Sequence, residues 1–148
     1  MSLHTTTPAS ITRLTASAPL RTLALVALCA AYIQGPLTKI FDFPGAIGEM
    51  THFGLSPAPV FAVGVILFEL AMSALVISGF YRWLGSLALG AFTIAATFIA
   101  LRFWELPVGM GRAMAMNAFF EHVGLAGAFL FVALQDLTNH ANPAATKP

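Results

Sequence analysis

WLGSLALGAFTIAATFIAL, Trp83 to Leu101, is nineteen residues without a charged side chain. At about 1.5 Å of rise per residue, a helix of that length comes close to crossing a hydrocarbon core roughly 30 Å thick. Three further windows have the same character. Val60 to Ser78 is as apolar apart from Glu69 at its centre, and Ala118 to Leu134 carries Glu121 and His122 in its first turns. The earliest window opens after Arg21 with TLALVALCAAYI and continues through Gln34, Gly35 and Pro36 towards Phe41. Period-2 alternation is absent, which removes a membrane β-barrel. The expected fold is all-α, an integral membrane four-helix bundle.

Composition leads to the same class. Of 148 residues, 58% are hydrophobic and 9% are charged, with a mean hydropathy of +0.83. Soluble domains carry roughly 25% charged residues, so this chain cannot cover a soluble surface. A net charge of +1 gives no clustered basic face for nucleic acid. The single cysteine, Cys29, allows neither an internal disulfide nor a multi-cysteine metal site.

The chain divides into a Thr/Ser/Pro-rich mobile N-terminal tail (1–19), a membrane domain (20–136) and a mobile C-terminal tail (137–148). A cleaved signal peptide over the first window is disfavoured, because apolar character continues past Ala31 without a clean small-x-small cleavage site. Gly79 suits a helix C-terminal cap, and the link Gly79–Arg82 forces an antiparallel hairpin. Asp42–Pro59 and Glu105–Met116 are expected as the longer connections, punctuated by Pro44-Gly45, Gly54, Pro107, Gly109 and Gly111. Small residues on the third and fourth spans (Gly85, Gly90, Gly124, Gly127) permit close helix approach. Four crossings put both termini on one side. Arg13, Arg21, Arg82 and Lys147 then face Lys39, Arg102 and Arg112, a bias that places the termini in the cytoplasm.

Seven of the thirteen charges gather near the face opposite the termini. Lys39 ends the first span, Arg102 and Trp104 end the third, and Asn117, Glu121 and His122 begin the fourth. Each has a plain structural reading: Asn117 as a helix cap, Glu121 at a helix dipole, Lys39 and Arg102 as snorkelling cations, Trp104 as an interfacial anchor. Read together, they predict a polar cluster at the mouth of the bundle. Two histidines in unrelated positions, His52 and His122, do not make a metal or haem site.

Glu69 is harder to assign to packing. A carboxylate at a helix centre costs roughly 3 kcal/mol on insertion scales, so the side chain should face the bundle interior, protonated or paired. Arg102, Lys39, Thr93 and Thr97 are the available partners. No phosphate loop and no nucleophile–base pair stands at readable spacing, so no catalytic residue is assigned.

These segments resemble the bacterial DoxX family of small four-span membrane proteins. The resemblance is carried by GPLTKIFDFPGAIGEMTHFGLSP (35–57), Glu69 in FEL, Gly79 with Arg82, RFWELP (102–107) and NAFFEHVGLAGAF (117–129), together covering roughly residues 20–136. It implies a bacterial inner (cytoplasmic) membrane protein associated with membrane redox systems. It also implies Glu69, Glu121, His122, Asn117, Lys39, Arg102 and Trp104 as candidate ligand or proton-site residues.

The expected function is an accessory or quinone-interacting component of a membrane redox system, with the lipid bilayer and a redox enzyme or a second copy of the chain as partners. No cofactor is established by the residues themselves, although a quinone is compatible with them. Two other classes are open: a structural or assembly subunit without its own chemistry, and a small-solute or proton-linked transporter acting as an oligomer.

Overall fold

The computed structural model describes residues 17–141. Six helices account for nearly all of them: α1 (Ala18–Leu28), α2 (Ala30–Phe41), α3 (Phe43–His52), α4 (Ala58–Ser78), α5 (Arg82–Ala100) and α6 (Met110–Ala141). A 3-10 turn, Phe103–Glu105, follows α5, and there is no strand among the described residues. The helices α4, α5 and α6 are each long and apolar enough to cross a membrane, and the bent pair α1 with α2 passes the same test when taken together as one broken span. The all-α membrane bundle read from the sequence is the observed architecture.

The first span departs from a straight rod. It bends by 50° at Cys29, whose φ of −86° and ψ of 0° stay right-handed but depart from regular α-helical values. Backbone bonds from Cys29 N–H to Leu25 O and from Ile33 N–H to Cys29 O hold the two halves together across the bend. Pro36, which cannot donate to the Tyr32 carbonyl, lies further along in α2 and is not the site of the bend.

Two expected connections are helical. Within Asp42–Pro59, the Asp42 carboxylate accepts from Gly45 N–H at 3.0 Å and Pro44 sits in the first turn, where its missing N–H costs nothing. The helix so started, α3, buries Ala46 and Met50 against Ala62 of α4. It ends at Gly54 (φ 72°), with Leu55 N–H bonded to Met50 O and Gly54 N–H to Thr51 O. Similarly, α6 starts at Met110 rather than near Ala118, since Arg112–Met116 is a run of strong helix formers and only Gly109 interrupts the backbone. Asn117 therefore lies inside a helix and caps nothing. At 32 residues, α6 is about 48 Å long and outreaches the hydrocarbon core. Its last residues, 137–141, fall in the segment expected as a mobile tail. The rest of that tail and residues 1–16 of the other lie outside the described residues.

Inward positions on α4 recur at Ala62, Ile66, Glu69, Ser73 and Val76, a 4-3-4-3 stripe, so Glu69 belongs to the buried face. Below it, Leu25, Cys29, Tyr32, Val76, Leu89 and Phe129 form the core that joins the helices. Helices α4 and α5 come closest at Gly85, where a Cβ would stand 2.8 Å from Met72 O. At Gly90 the same test gives 3.4 Å to Phe129 Cβ of α6. Gly124 and Gly127 do not serve this purpose, since a Cβ at either would meet nothing within 4 Å. Gly127 instead borders a shallow groove of about 560 Å³ between α5 and α6. Outward faces are apolar, with Leu23, Leu67, Phe98 and Phe131 exposed as lipid-facing side chains.

The α4–α5 hairpin is fastened at the end where the described residues begin and finish, the terminal end. Gly79 (φ 87°) caps α4 as expected, and Arg82 Nε donates to Val76 O at 2.8 Å. The first turn of α5 has no capping side chain of its own. Asp136, fifty-three residues further on in α6, supplies one by accepting from Trp83 N–H at 3.2 Å. Its other oxygen lies 3.7 Å from Arg82 Nη1.

A polar-ended cavity at the mouth of the bundle

The opposite end holds a partly open cavity of about 310 Å³. Met50, Phe53 and Leu55 close it from the α3 side, Val65 from α4, and Phe92, Ala96 and Ile99 from α5. Four polar side chains reach this apolar chamber: Lys39 at the end of α2, Glu49 on α3, Glu69 on α4 and His122 on α6. Three of the sequence-derived candidates, Lys39, Glu69 and His122, are thus brought to one space.

Glu69 is only 9% exposed, and its Oε2 has no hydrogen-bond partner. Eleven residues separate it from the start of α4, about 16 Å along the axis, which puts it near the bilayer centre. Side chains tilt toward a helix N-terminus, so the carboxyl points toward the mouth. None of the expected partners binds it. Arg102 pairs instead with Glu105 at 3.2 Å on the exposed surface. Lys39 Nζ lies 3.0 Å from Glu49 Oε2, and both hydroxyls on α5 are committed elsewhere.

Those hydroxyls orient His122. Thr97 Oγ1 lies 2.6 Å from Thr93 O and 3.0 Å from His122 Nδ1. A carbonyl can only accept, so the hydroxyl proton goes to Thr93 O and His122 Nδ1 donates its hydrogen to Thr97. The neutral ring then presents Nε2 as an acceptor. One turn earlier, Thr93 donates to Leu89 O at 2.6 Å, so the hydrogen bond between Tyr32 and Thr93 is donated by the phenol. Tyr32 also packs edge-on against Phe129, ring centres 5.3 Å apart.

The remaining candidates stand apart from the chamber. Asn117 and Glu121 are exposed on α6. Trp104 joins an aromatic group with Phe98, Phe103 and Phe119 that braces the α5–α6 connection. His52 is exposed beside Phe53. No group of three His, Cys, Asp or Glu side chains is placed to hold a metal ion among the described residues. Tyr32 has no role in the sequence reading, and Gly35 enters it only within the first window and as the first residue of the 35–57 stretch. A tyrosine and a glycine inside an apolar span were the available signals, and both abut the buried polar groups.

Fold and site together describe a small helical membrane protein with an intramembrane carboxyl facing a largely apolar chamber. The chain belongs to the DoxX family, a family of small membrane proteins, whose model matches residues 20–102. That match takes in α1 to α5 with Lys39 and Glu69, and it stops before RFWELP is complete and before His122. No curated protein and no solved structure matches the chain.

Proposed function

We propose that the protein binds a small amphipathic molecule from the lipid phase, with a quinone-type ring as its headgroup, as a component of a redox system of the bacterial inner membrane. The observation that carries this reading is the pairing of an apolar chamber with two uncommitted polar atoms, Glu69 Oε2 and His122 Nε2. Ligand sites are mostly apolar spaces of about 300–1,000 Å³ with a few placed polar groups. His122 Nε2 accepts from a ring hydroxyl. The Glu69 carboxyl donates to a ring carbonyl or accepts from a hydroxyl, according to its proton. Electrons pass between the ring and a partner oxidoreductase, and the termini face the cytoplasm.

A transporter would need a way through, and the plug of Leu25, Val76, Leu89 and Phe129 weighs against one. The test is titration of short-chain ubiquinone and menaquinone analogues into the full chain in nanodiscs. Saturable binding is expected, weakened about tenfold or more by Glu69→Gln and by His122→Ala, as the loss of one buried hydrogen bond of about 1.5–3 kcal/mol implies. Absence of saturable binding refutes the reading. Normal activity of a copurifying complex after both replacements would favour an assembly subunit.

A further inference from the structure

Glu69 has a second neighbour besides the chamber. A groove of about 370 Å³ runs along the outer side of α2 and α3, lined by Gln34, Gly35, Thr38 and Asp42 together with Lys39 and Glu49. Lys39 and Glu49 line the chamber as well. Their 3.0 Å ion pair is therefore the partition between a polar groove and an apolar cavity. Gln34, Thr38, Asp42 and Glu49 are exposed, so the groove opens outward and is accessible to water or lipid headgroups.

The partition is thin at one place. A Cβ built on Gly35 would lie 3.9 Å from Glu69 Oε2. Gly35 lines the groove, and the atom behind it is the unpartnered carboxyl oxygen. On the other side of Glu69, among the described residues, the buried polar side chains short of the plug are Ser73 and Ser86, with the Cys29 thiol, and the Arg82–Asp136 pair lies beyond it. Val76, Leu89 and Phe129, each fully buried, then close the path. Glu69 thus has a polar approach from the α3 end and an apolar barrier toward the termini.

We propose that this groove is the proton entrance to Glu69, with the bare backbone at Gly35 as the window, and that the carboxyl exchanges protons with the α3 side of the membrane only. In the exchange, the Glu69 carboxyl proton passes to a groove water while a proton from that water network takes its place. No electron moves and no co-reactant is needed. The groups that face the path are Lys39 and Asp42 from α2 and its end, Glu49 from α3, Tyr32 from α2, and His122 from α6. The inference rests on Glu69 acting as a proton-exchanging group of the chamber, and it is indifferent to which ligand the chamber takes.

The test uses the full chain with Cys29→Ser and Thr38→Cys in nanodiscs. Infrared spectroscopy follows hydrogen–deuterium exchange of the carboxyl stretch that Glu69→Gln abolishes, at a pH where that band is present and a temperature where its rate is resolved. Attaching a bulky, water-soluble thiol reagent at position 38 should slow exchange tenfold or more. The same reagent on Ser78→Cys, at the end carrying the termini, should change it less than twofold. Because each protein is compared before and after modification, folding is held constant. As a second variant, Gly35→Leu should slow exchange while Gly35→Ala, whose methyl makes only ordinary contact, should not. An unchanged rate after modification at position 38, equal slowing from position 78, or no Glu69 band at any pH at which the bundle stays folded would overturn the proposal. Analogue titration of the same samples separates the two readings: slowed exchange without ligand binding removes the ligand, and binding without slowed exchange removes the entrance.

Discussion

Replacing Asp136 by alanine should destabilise the bundle by about 3 kcal/mol, more than any change at the candidate site. The side chain is 6% exposed, and that of its partner Arg82 is 13% exposed. Removing one member of a buried ion pair costs roughly 3–5 kcal/mol, because the other charge is left without compensation. The low end applies here. Arg82 keeps its 2.8 Å bond to Val76 O, and its long stem can carry the guanidinium toward the interface. Loss of the acceptor for Trp83 N–H adds a helix-cap penalty of about 1 kcal/mol, partly overlapping with the first. The sum corresponds to more than a hundredfold shift in the folding equilibrium, at about 1.4 kcal/mol per factor of ten. Asp136→Asn, which keeps an acceptor for Trp83 while losing the charge, should cost about 2 kcal/mol. Both are measured by denaturing-detergent titration in mixed micelles, followed by circular dichroism. A shift below about 1 kcal/mol for Asp136→Ala would refute the reasoning, since the pair would then be as replaceable as an exposed one.

Gly85→Ala should destabilise by about 1–3 kcal/mol through overpacking, because its methyl meets backbone Met72 O at 2.8 Å and Leu75 Cβ at 2.9 Å. Gly90→Ala, with its nearest atoms at 3.4 and 3.5 Å, should change stability much less in the same titration. Thr97→Val should lower the affinity of quinone analogues several-fold by freeing the His122 ring, at a stability cost of about 1 kcal/mol, and Thr97→Ser should restore both.

The spans were legible because a bilayer imposes a length and an apolar composition that few other constraints imitate. The inward position of Glu69 followed from the insertion cost alone, and the α4 stripe agrees. What escaped was azimuth. Rise per residue gives the height of a side chain along its helix, which is what grouped Asn117, Glu121, His122, Arg102 and Lys39 at one interface; of these the chamber takes in Lys39 and His122. Neighbours on a helix differ by about 100° in direction. Glu121 and His122 stand at nearly the same height and face different ways, one to the exposed surface and one to the chamber. The α3 helix escaped for another reason: a proline in a first turn starts a helix as readily as a proline elsewhere ends one. The cap that Asp136 provides for α5 joins residues fifty-three apart, which no local pattern encodes.

The two ends of the bundle treat buried polarity in opposite ways. At the terminal end, Asp136 is 4% exposed and its oxygens have Trp83 N–H and Arg82 within reach, while Arg82 is bonded to Val76 O. Such a cluster needs nothing further, and its worth is stability. At the mouth, the Thr93–Thr97 ladder is satisfied within the chain, yet it ends on a histidine with a spare acceptor and lies near a carboxyl oxygen with no partner. Leaving a buried polar atom unmatched costs about 1–3 kcal/mol, and a leucine at position 69 would remove that cost. A packing role for Glu69 would require a hydrogen-bond partner inside the bundle, and Lys39, Arg102, Thr93 and Thr97, the cations and hydroxyls best placed to provide one, are engaged with other groups. On the proposed reading that unmet valence is satisfied from outside the chain, by a ligand in the chamber or by water behind Gly35, and both approaches lie on the same side of the apolar plug.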